Sequence, residues 1–161
     1  MRKISLFTAI AAALLLSACA AQAPSAPAVL EPVDPQPATP LTFEHPAYHK
    51  ITPAQAKALM DEGKAVVVDV RSPKEYAAGH IQGSVNVPLD TLVAGQKLEA
   101  APDLNQKLLV HCRSGVRAEQ ASRILVETGY TDVNNMYGTL QWPYGFVNAH
   151  GEKIEQVPEL N

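Results

Sequence analysis

Cysteine and charged residues are scarce in this chain of 161 residues. There are two cysteines, Cys19 and Cys112, and no group of cysteines and histidines has the spacing of a metal site. Charged residues make up 18% of the chain, the formal net charge is -3, and no basic run follows the first residues. We therefore expect neither a metal centre nor a nucleic-acid partner, since nucleic-acid binding needs a basic surface.

Long apolar runs are absent except near the N-terminus. Arg2 and Lys3 precede a nearly continuous apolar segment over residues 4–16. A helix needs about 20 apolar residues to cross a hydrocarbon core of about 30 Å, so this segment is short for a membrane span. A charged start, a short apolar segment and small residues are typical of a secretory signal peptide, which we predict at residues 1–18.

The apolar segment ends in Leu16-Ser17-Ala18-Cys19. This sequence resembles the bacterial lipobox, in which the cysteine is lipidated and becomes the new N-terminus. The resemblance implies a membrane anchor on Cys19 and a location at the cell envelope; an ordinary cleaved signal is the alternative. Because Ala20 and not aspartate follows Cys19, it further implies the outer membrane, facing the periplasm, in a Gram-negative host.

Proline and alanine dominate the segment that follows. Seven prolines, at positions 24, 27, 32, 35, 37, 40 and 46, favour extended polyproline conformations at about 3 Å per residue. Such a segment buries too little apolar surface to fold. We predict a lipid-anchored Pro/Ala-rich spacer at residues 19–46 and one folded domain at residues 47–161.

Strand patterns alternate with helix patterns in the folded part. Continuous apolar runs at 65–70 and 107–111 are typical of strands that are buried on both faces. Shorter strands are expected at 84–87 and 132–136. The alternation predicts an α/β domain with a mainly parallel central sheet and helices on both faces.

Local signals place the helices between these strands. Thr52 and Ser72 are each followed by proline and then by a capping-box residue, so a helix should begin after each of them. Weak helical signals cover residues 89–100. A further helix follows the loop at 112–117, with apolar residues at i, i+3, i+4 and i+7, and should end at Gly129.

The loop between the second long strand and this helix carries the chemistry. Cys112 comes at the carboxyl end of a buried strand, where parallel sheets bind ligands. Backbone N–H groups at the start of a helix bind anions, and Gly115 allows the close approach of a ligand. The positive charges of Arg113 and Arg117 favour a thiolate, which is the nucleophile of sulfur chemistry.

These features define the candidate site. We predict that Cys112 is catalytic, since a buried apolar cysteine would not need two neighbouring arginines. A substrate would be bound by the residues of the loop that follows, through backbone N–H groups and positive charge: Arg113, Ser114, Gly115, Val116 and Arg117. Ser114 also fits an ordinary turn, and each arginine also fits a solvated surface position.

Several ordered segments resemble one family. The Cys-Arg-Ser-Gly-Val-Arg loop at 112–117 is similar to the active-site loop of rhodanese-type sulfurtransferases. The segments 68–71, 75–88 and 138–142 are similar to further signatures of that family. The resemblance covers most of residues 48–147.

The resemblance implies a rhodanese-like three-layer fold and a single-domain thiosulfate sulfurtransferase. Sulfane sulfur would pass from a small anionic donor such as thiosulfate to a thiophilic acceptor, cyanide or a thiol, through a persulfide on Cys112. It implies no metal and no organic cofactor, and a periplasmic thiol protein could be the acceptor. Asp69 and Arg71 are expected to form scaffold contacts, and His111 should point away from Cys112. Tyr137 departs from the pattern, because the family often has the first of two glycines there.

Two alternative functions are open from the sequence. Cysteine phosphatases and arsenate reductases on a related fold separate Cys and Arg by five residues, whereas Arg117 follows Cys112 after four and position 118 is alanine. A cell-envelope thiol-redox protein or a sulfur-binding module is the other alternative. If Cys19 is lipidated, Cys112 has no resolving cysteine in its own chain.

Overall fold

The computed structural model describes residues 43–159. The predicted signal peptide, the predicted lipidation site Cys19 and most of the predicted spacer lie outside the described residues. Within residues 43–159, no helix has the length and apolar character needed to span a membrane.

A five-stranded parallel sheet forms the centre of the domain. Its strands are β1 (Tyr48–Lys50), β2 (Ala65–Asp69), β3 (Val85–Asn86), β4 (Lys107–Cys112) and β5 (Val133–Gly138). They lie in the order β1-β5-β4-β2-β3, and every neighbouring pair is parallel. The strand that ends in Cys112 is therefore central, and the carboxyl ends of its neighbours flank that residue.

Residues 43–159 contain three α-helices: α1 (Pro53–Asp61), α2 (Pro73–Ala78) and α3 (Val116–Thr128). Thr52 and Ser72 each form the predicted capping box, with proline in the first turn. Gly129 ends α3 at a φ of 107°, a backbone conformation that glycine adopts without strain. α1 and α2 thus begin after Thr52 and Ser72, and α3 ends at Gly129, as predicted.

Apolar side chains pack on both faces of the sheet. On one face, buried residues of α3 pack against the sheet. The helix contributes Ala118, Ala121 and Leu125, and the sheet side contributes Val68 of β2, Val70 just after it, and Leu108, Val110 and Cys112 of β4. On the other face lies a second cluster that includes residues of α1: Ala56, Leu59, Met60, Val67, Leu109, Met136, Trp142 and Phe146. The predicted α/β fold, with a parallel sheet between two layers, is confirmed.

The differences from the sequence prediction lie in short elements. The weak helical signals over residues 89–100 correspond to a single 3-10 turn, Leu89–Thr91, and Gly95 after it has a φ of 84°, which lies outside the α-helical range. β1 was not predicted, and neither was a hairpin of β6 (Phe146–Val147) and β7 (Lys153–Ile154). Strands of two or three residues are too short to show an alternating pattern.

Candidate active site

Cys112 is the last residue of β4 and is fully buried. Its Sγ accepts a hydrogen bond from the backbone N–H of Gly115, with a nitrogen–sulfur distance of 3.1 Å. Gly115 has a φ of 104°, which turns the loop back over the sulfur directly before α3 begins at Val116. The first N–H groups of α3 have no partner within the helix, so this end of the helix favours a negative charge on the sulfur.

A bulge in β5 supports the loop from the neighbouring strand. Val110 pairs with Asn135 and Cys112 with Gly138, so β5 contains one more residue than β4 between these pairs. Tyr137 lies in the bulge with a φ of 68°, and its N–H donates to Asn135 Oδ1 at 2.9 Å. A positive φ favours glycine, and in this chain a tyrosine adopts it.

Gly138 makes room for the loop. A Cβ atom at this position would lie 2.4 Å from both the carbonyl carbon and the carbonyl oxygen of Arg113, and 2.6 Å from the carbonyl oxygen of Cys112. These are rigid backbone atoms, so a side chain at position 138 would displace the loop that begins at Cys112. Glycine at position 138 is therefore required by its contact with the loop.

Asn135 is a buried residue of the site that the sequence analysis missed. Its Nδ2 donates to the Gly115 carbonyl oxygen at 3.3 Å and to the Tyr48 hydroxyl at 3.2 Å. The side chain thus connects β1, β5 and the loop over Cys112. The available signal was a pair of asparagines, at 134 and 135, in an otherwise apolar strand.

Glu75 holds Arg117 in the first turn of α3, close to the loop that follows Cys112. Arg117 donates from Nη1 to Glu75 Oε2 at 2.8 Å and from Nη2 to Glu75 Oε1 at 2.7 Å. The arginine hydrogen bonds and those from Ser72 lower the pKa of Glu75 to about 2, and Glu75 raises the pKa of Arg117. Cys112 contributes to the raised pKa of Arg117 as well, though less than Glu75 does, so the positive charge of Arg117 is near the Cys112 side chain. From the sequence, Glu75 was placed in the capping box after Ser72 and in the segment at 75–88 that resembles the family, but not beside Arg117.

The other predicted loop residues are nearer to solvent. The side chains of Ser114 and Val116 are exposed, so these residues can contribute to a site at the sulfur through their backbone. Arg113 is exposed as well, and its guanidinium forms an ion pair with Glu159 near the end of the described chain. The structure thus brings Arg117 to Cys112 and directs Arg113 to the outer rim.

A cleft of about 600 Å³ lies beside the loop. It is bordered by charged side chains from the loop and its supports, by an apolar wall and by the C-terminal segment: Arg71, Glu75, Arg113, Arg117, Leu140, Trp142, Phe146 and residues 155–159. Trp142 and Phe146 also belong to the core, and Trp142 Nε1 donates to the Gly145 carbonyl at 3.1 Å. The aromatic segment therefore both completes the core and lines the cleft.

A buried ion pair lies below the cleft. Arg71 donates to both carboxylate oxygens of Asp69, at 2.6–3.0 Å, and to the Gly79 carbonyl at 2.7 Å. His111 lies next to this pair, with Nε2 3.7 Å from Asp69 Oδ2. Burial lowers the pKa of His111, and it lies on the sheet face opposite to Cys112, as predicted. His111 is therefore not placed to act as a base on the thiol.

Comparison with known proteins identifies the family. The rhodanese-like domain family matches residues 52–142, which is more than half of the chain and includes the whole loop from Cys112 to Arg117. The chain belongs to this family. The matched region of this rhodanese domain includes most of the parallel sheet, the central Cys112 and the glycine at position 138 that contacts the loop.

Three relatives illustrate the similarity of this rhodanese domain. Thiosulfate sulfurtransferase PspE of Escherichia coli K12 is 42% identical over 71 residues, which cover 44% of this chain and 67% of that protein. Thiosulfate sulfurtransferase GlpE of Pseudomonas fluorescens Pf-5 is 41% identical over 91 residues, covering 56% and 80%. The human single-domain sulfurtransferase TSTD1 superposes with a TM-score of 0.53 at 29% identity, covering 62% and 98%. The predicted family and the sulfurtransferase class of the function are confirmed.

Proposed function

We propose that the protein transfers sulfane sulfur from thiosulfate, or a similar donor, to a thiophilic acceptor through a persulfide on Cys112. The observation that carries this proposal is the hydrogen bond from Gly115 N–H to Cys112 Sγ at the N-terminus of α3. Backbone N–H groups and a helix N-terminus stabilise a thiolate, and they stabilise the terminal sulfur of a persulfide in the same way.

The proposed reaction has two half-reactions. The Cys112 thiolate attacks the outer sulfur of thiosulfate, the sulfur–sulfur bond of the donor breaks, and sulfite leaves with the electron pair. The acceptor, cyanide or a thiolate, then attacks the terminal sulfur of the persulfide. That sulfur–sulfur bond breaks, thiocyanate or a new persulfide leaves, and the Cys112 thiolate is restored. The backbone N–H groups of the loop and the positive charge of Arg117 stabilise the negative charge on the reacting sulfur atoms.

Two observations favour sulfur transfer over phosphatase chemistry and over a thiol-redox cycle. Position 118, where a phosphatase of the related fold would have its arginine, is a fully buried alanine that packs in the core. Cys112 is the one cysteine among residues 43–159, so a disulfide cycle would need a thiol from outside the described part of the chain.

Steady-state kinetics of the purified full-length protein in detergent test the proposal. Initial rates of thiocyanate formation are measured over a grid of thiosulfate and cyanide concentrations. A covalent intermediate predicts ping-pong kinetics, with parallel lines in a double-reciprocal plot. Intersecting lines would rule out the persulfide route, and the absence of turnover would rule out thiosulfate as the donor.

We also propose that the protein is held at the cell envelope by a lipid on Cys19, at the outer membrane and facing the periplasm in a Gram-negative host. The support is the charged start, the short apolar segment and the Leu-Ser-Ala-Cys sequence that ends it. Cys19→Ala is expected to move the protein out of the membrane fraction, whereas Cys112→Ala should stay with the membrane. Unchanged membrane association of the Cys19 variant would contradict the lipid anchor.

A further inference from the structure

The two arginines of the active-site loop have different partners. Arg117 is partly buried and is held by both carboxylate oxygens of Glu75. The side chain of Arg113 is 52% exposed, and that of its partner Glu159 is 75% exposed. Arg117 is thus a fixed part of the site, whereas the Arg113 pair is open to solvent and to competing ions.

Packing of the C-terminal segment brings Glu159 to the cleft. Ile154 and Val157 pack against the second core cluster. They lie directly over Gly79, where an added Cβ would come within 2.7 Å of Ile154 Cδ1 and 3.4 Å of Val157 Cγ2. Residues 155–159 then continue along the cleft and form one of its walls. The contact between Glu159 and Arg113 therefore follows from an anchored segment.

We propose that Glu159 is a specificity-determining residue, whose carboxylate competes with the anionic sulfur donor for Arg113. The inference rests on the proposed function. A guanidinium binds the oxygens of a carboxylate and those of an oxyanion through the same planar pair of N–H donors. The donor must therefore displace Glu159 before it can use Arg113, and the segment at 155–159 sets the donor concentration that half-saturates the enzyme.

The exposure of this ion pair makes the competition weak and reversible. Exposed ion pairs are worth little in water and are screened by salt, so the donor can displace the carboxylate. Glu159 raises the KM for an anionic donor, because its carboxylate occupies the guanidinium of Arg113. The discrimination acts on the charge of the donor, since a neutral donor gains nothing from the release of Arg113.

The test compares two variants that remove the same charge. Glu159→Gln is expected to lower the KM for thiosulfate about two- to fivefold at low ionic strength, the range for an exposed ion pair. The matched control is Glu62→Gln, which removes an exposed carboxylate that pairs with Lys64 away from the cleft. Its KM should not change. At high salt, Glu159→Gln and the wild type should converge, because the competing pair is already screened.

A double-mutant cycle shows whether the effect passes through Arg113. The second-order rate constant of persulfide formation with thiosulfate is measured by mass spectrometry, which follows slow reactions as well as fast ones. In the Arg113→Gln background, Glu159→Gln should have no effect. An equal effect in that background, an equal effect of Glu62→Gln, or no effect of Glu159→Gln would each overturn the inference. Wild-type turnover with any of these results leaves the proposed function standing, whereas absence of wild-type turnover with thiosulfate refutes that function.

Discussion

Replacement of Cys112 by alanine is expected to lower the rate of sulfur transfer by about a thousandfold or more, the scale on which enzymes lose rate when their nucleophile is removed. No other cysteine among residues 43–159 can take its place. The alanine side chain fits in the buried space of Cys112, so the fold should be retained. Thiocyanate formation measures the loss, and thermal unfolding followed by circular dichroism shows that the variant is folded.

Cys112→Ser is the matched control for this prediction. The serine hydroxyl can accept the hydrogen bond that Gly115 N–H gives to Sγ, so it preserves the loop and removes the sulfur. The serine variant should be as inactive as the alanine variant. If either folded variant keeps a rate near that of the wild type, Cys112 does not carry the transferred sulfur.

Replacement of Arg71 by leucine is expected to lower the free energy of unfolding by about 3–5 kcal/mol, the usual cost of removing one partner of a buried ion pair. Asp69 is fully buried and receives three hydrogen bonds from the Arg71 side chain. Without Arg71 its carboxylate is left in the core without the guanidinium, and His111 remains beside it with Nε2 3.7 Å from Asp69 Oδ2. Urea unfolding at neutral pH measures the difference.

Two comparisons make this prediction specific. Lys57→Leu removes one partner of the exposed pair between Lys57 and Asp61, and exposed pairs contribute about 0–1 kcal/mol. The double variant Asp69→Leu/Arg71→Leu should recover part of the lost stability, because no charge is then buried alone. If Arg71→Leu lowers the free energy of unfolding by less than about 1 kcal/mol, the buried pair between Asp69 and Arg71 is not needed for the stability of the domain.

The parts of the fold that were predicted correctly depend on local or strongly repeated patterns. The capping boxes at Thr52 and Ser72 involve residues three positions apart, and the long apolar runs of β2 and β4 mark strands at the middle of the sheet. The loop from 112 to 117 is a contiguous motif, so its position at the end of a buried strand could be read from the sequence. Tyr137 was visible in the sequence as a departure from the family's pattern, and in the structure it lies in a bulge with a positive φ.

The missed parts of the site depend on contacts between distant residues. Glu75 and Arg117 are 42 positions apart, and Arg113 and Glu159 are 46 positions apart. Glu75 also belongs to the local capping box with Ser72, which already accounts for a glutamate at this position, so nothing in the sequence indicated a contact with Arg117. Asn135 connects three elements through one side chain, which no local pattern indicates. These partners become evident only when the order of the strands is known.

Whether Cys112 carries the transferred sulfur is tested most directly by the intact mass of the protein after brief treatment with thiosulfate and removal of the excess donor. A persulfide on Cys112 predicts a gain equal to the mass of one sulfur atom, located on the peptide that contains Cys112 and removed by cyanide. Cys112→Ser should show no gain. A folded wild-type protein that gains no sulfur, or that gains it at another residue, would contradict the assignment of Cys112 as the sulfur carrier.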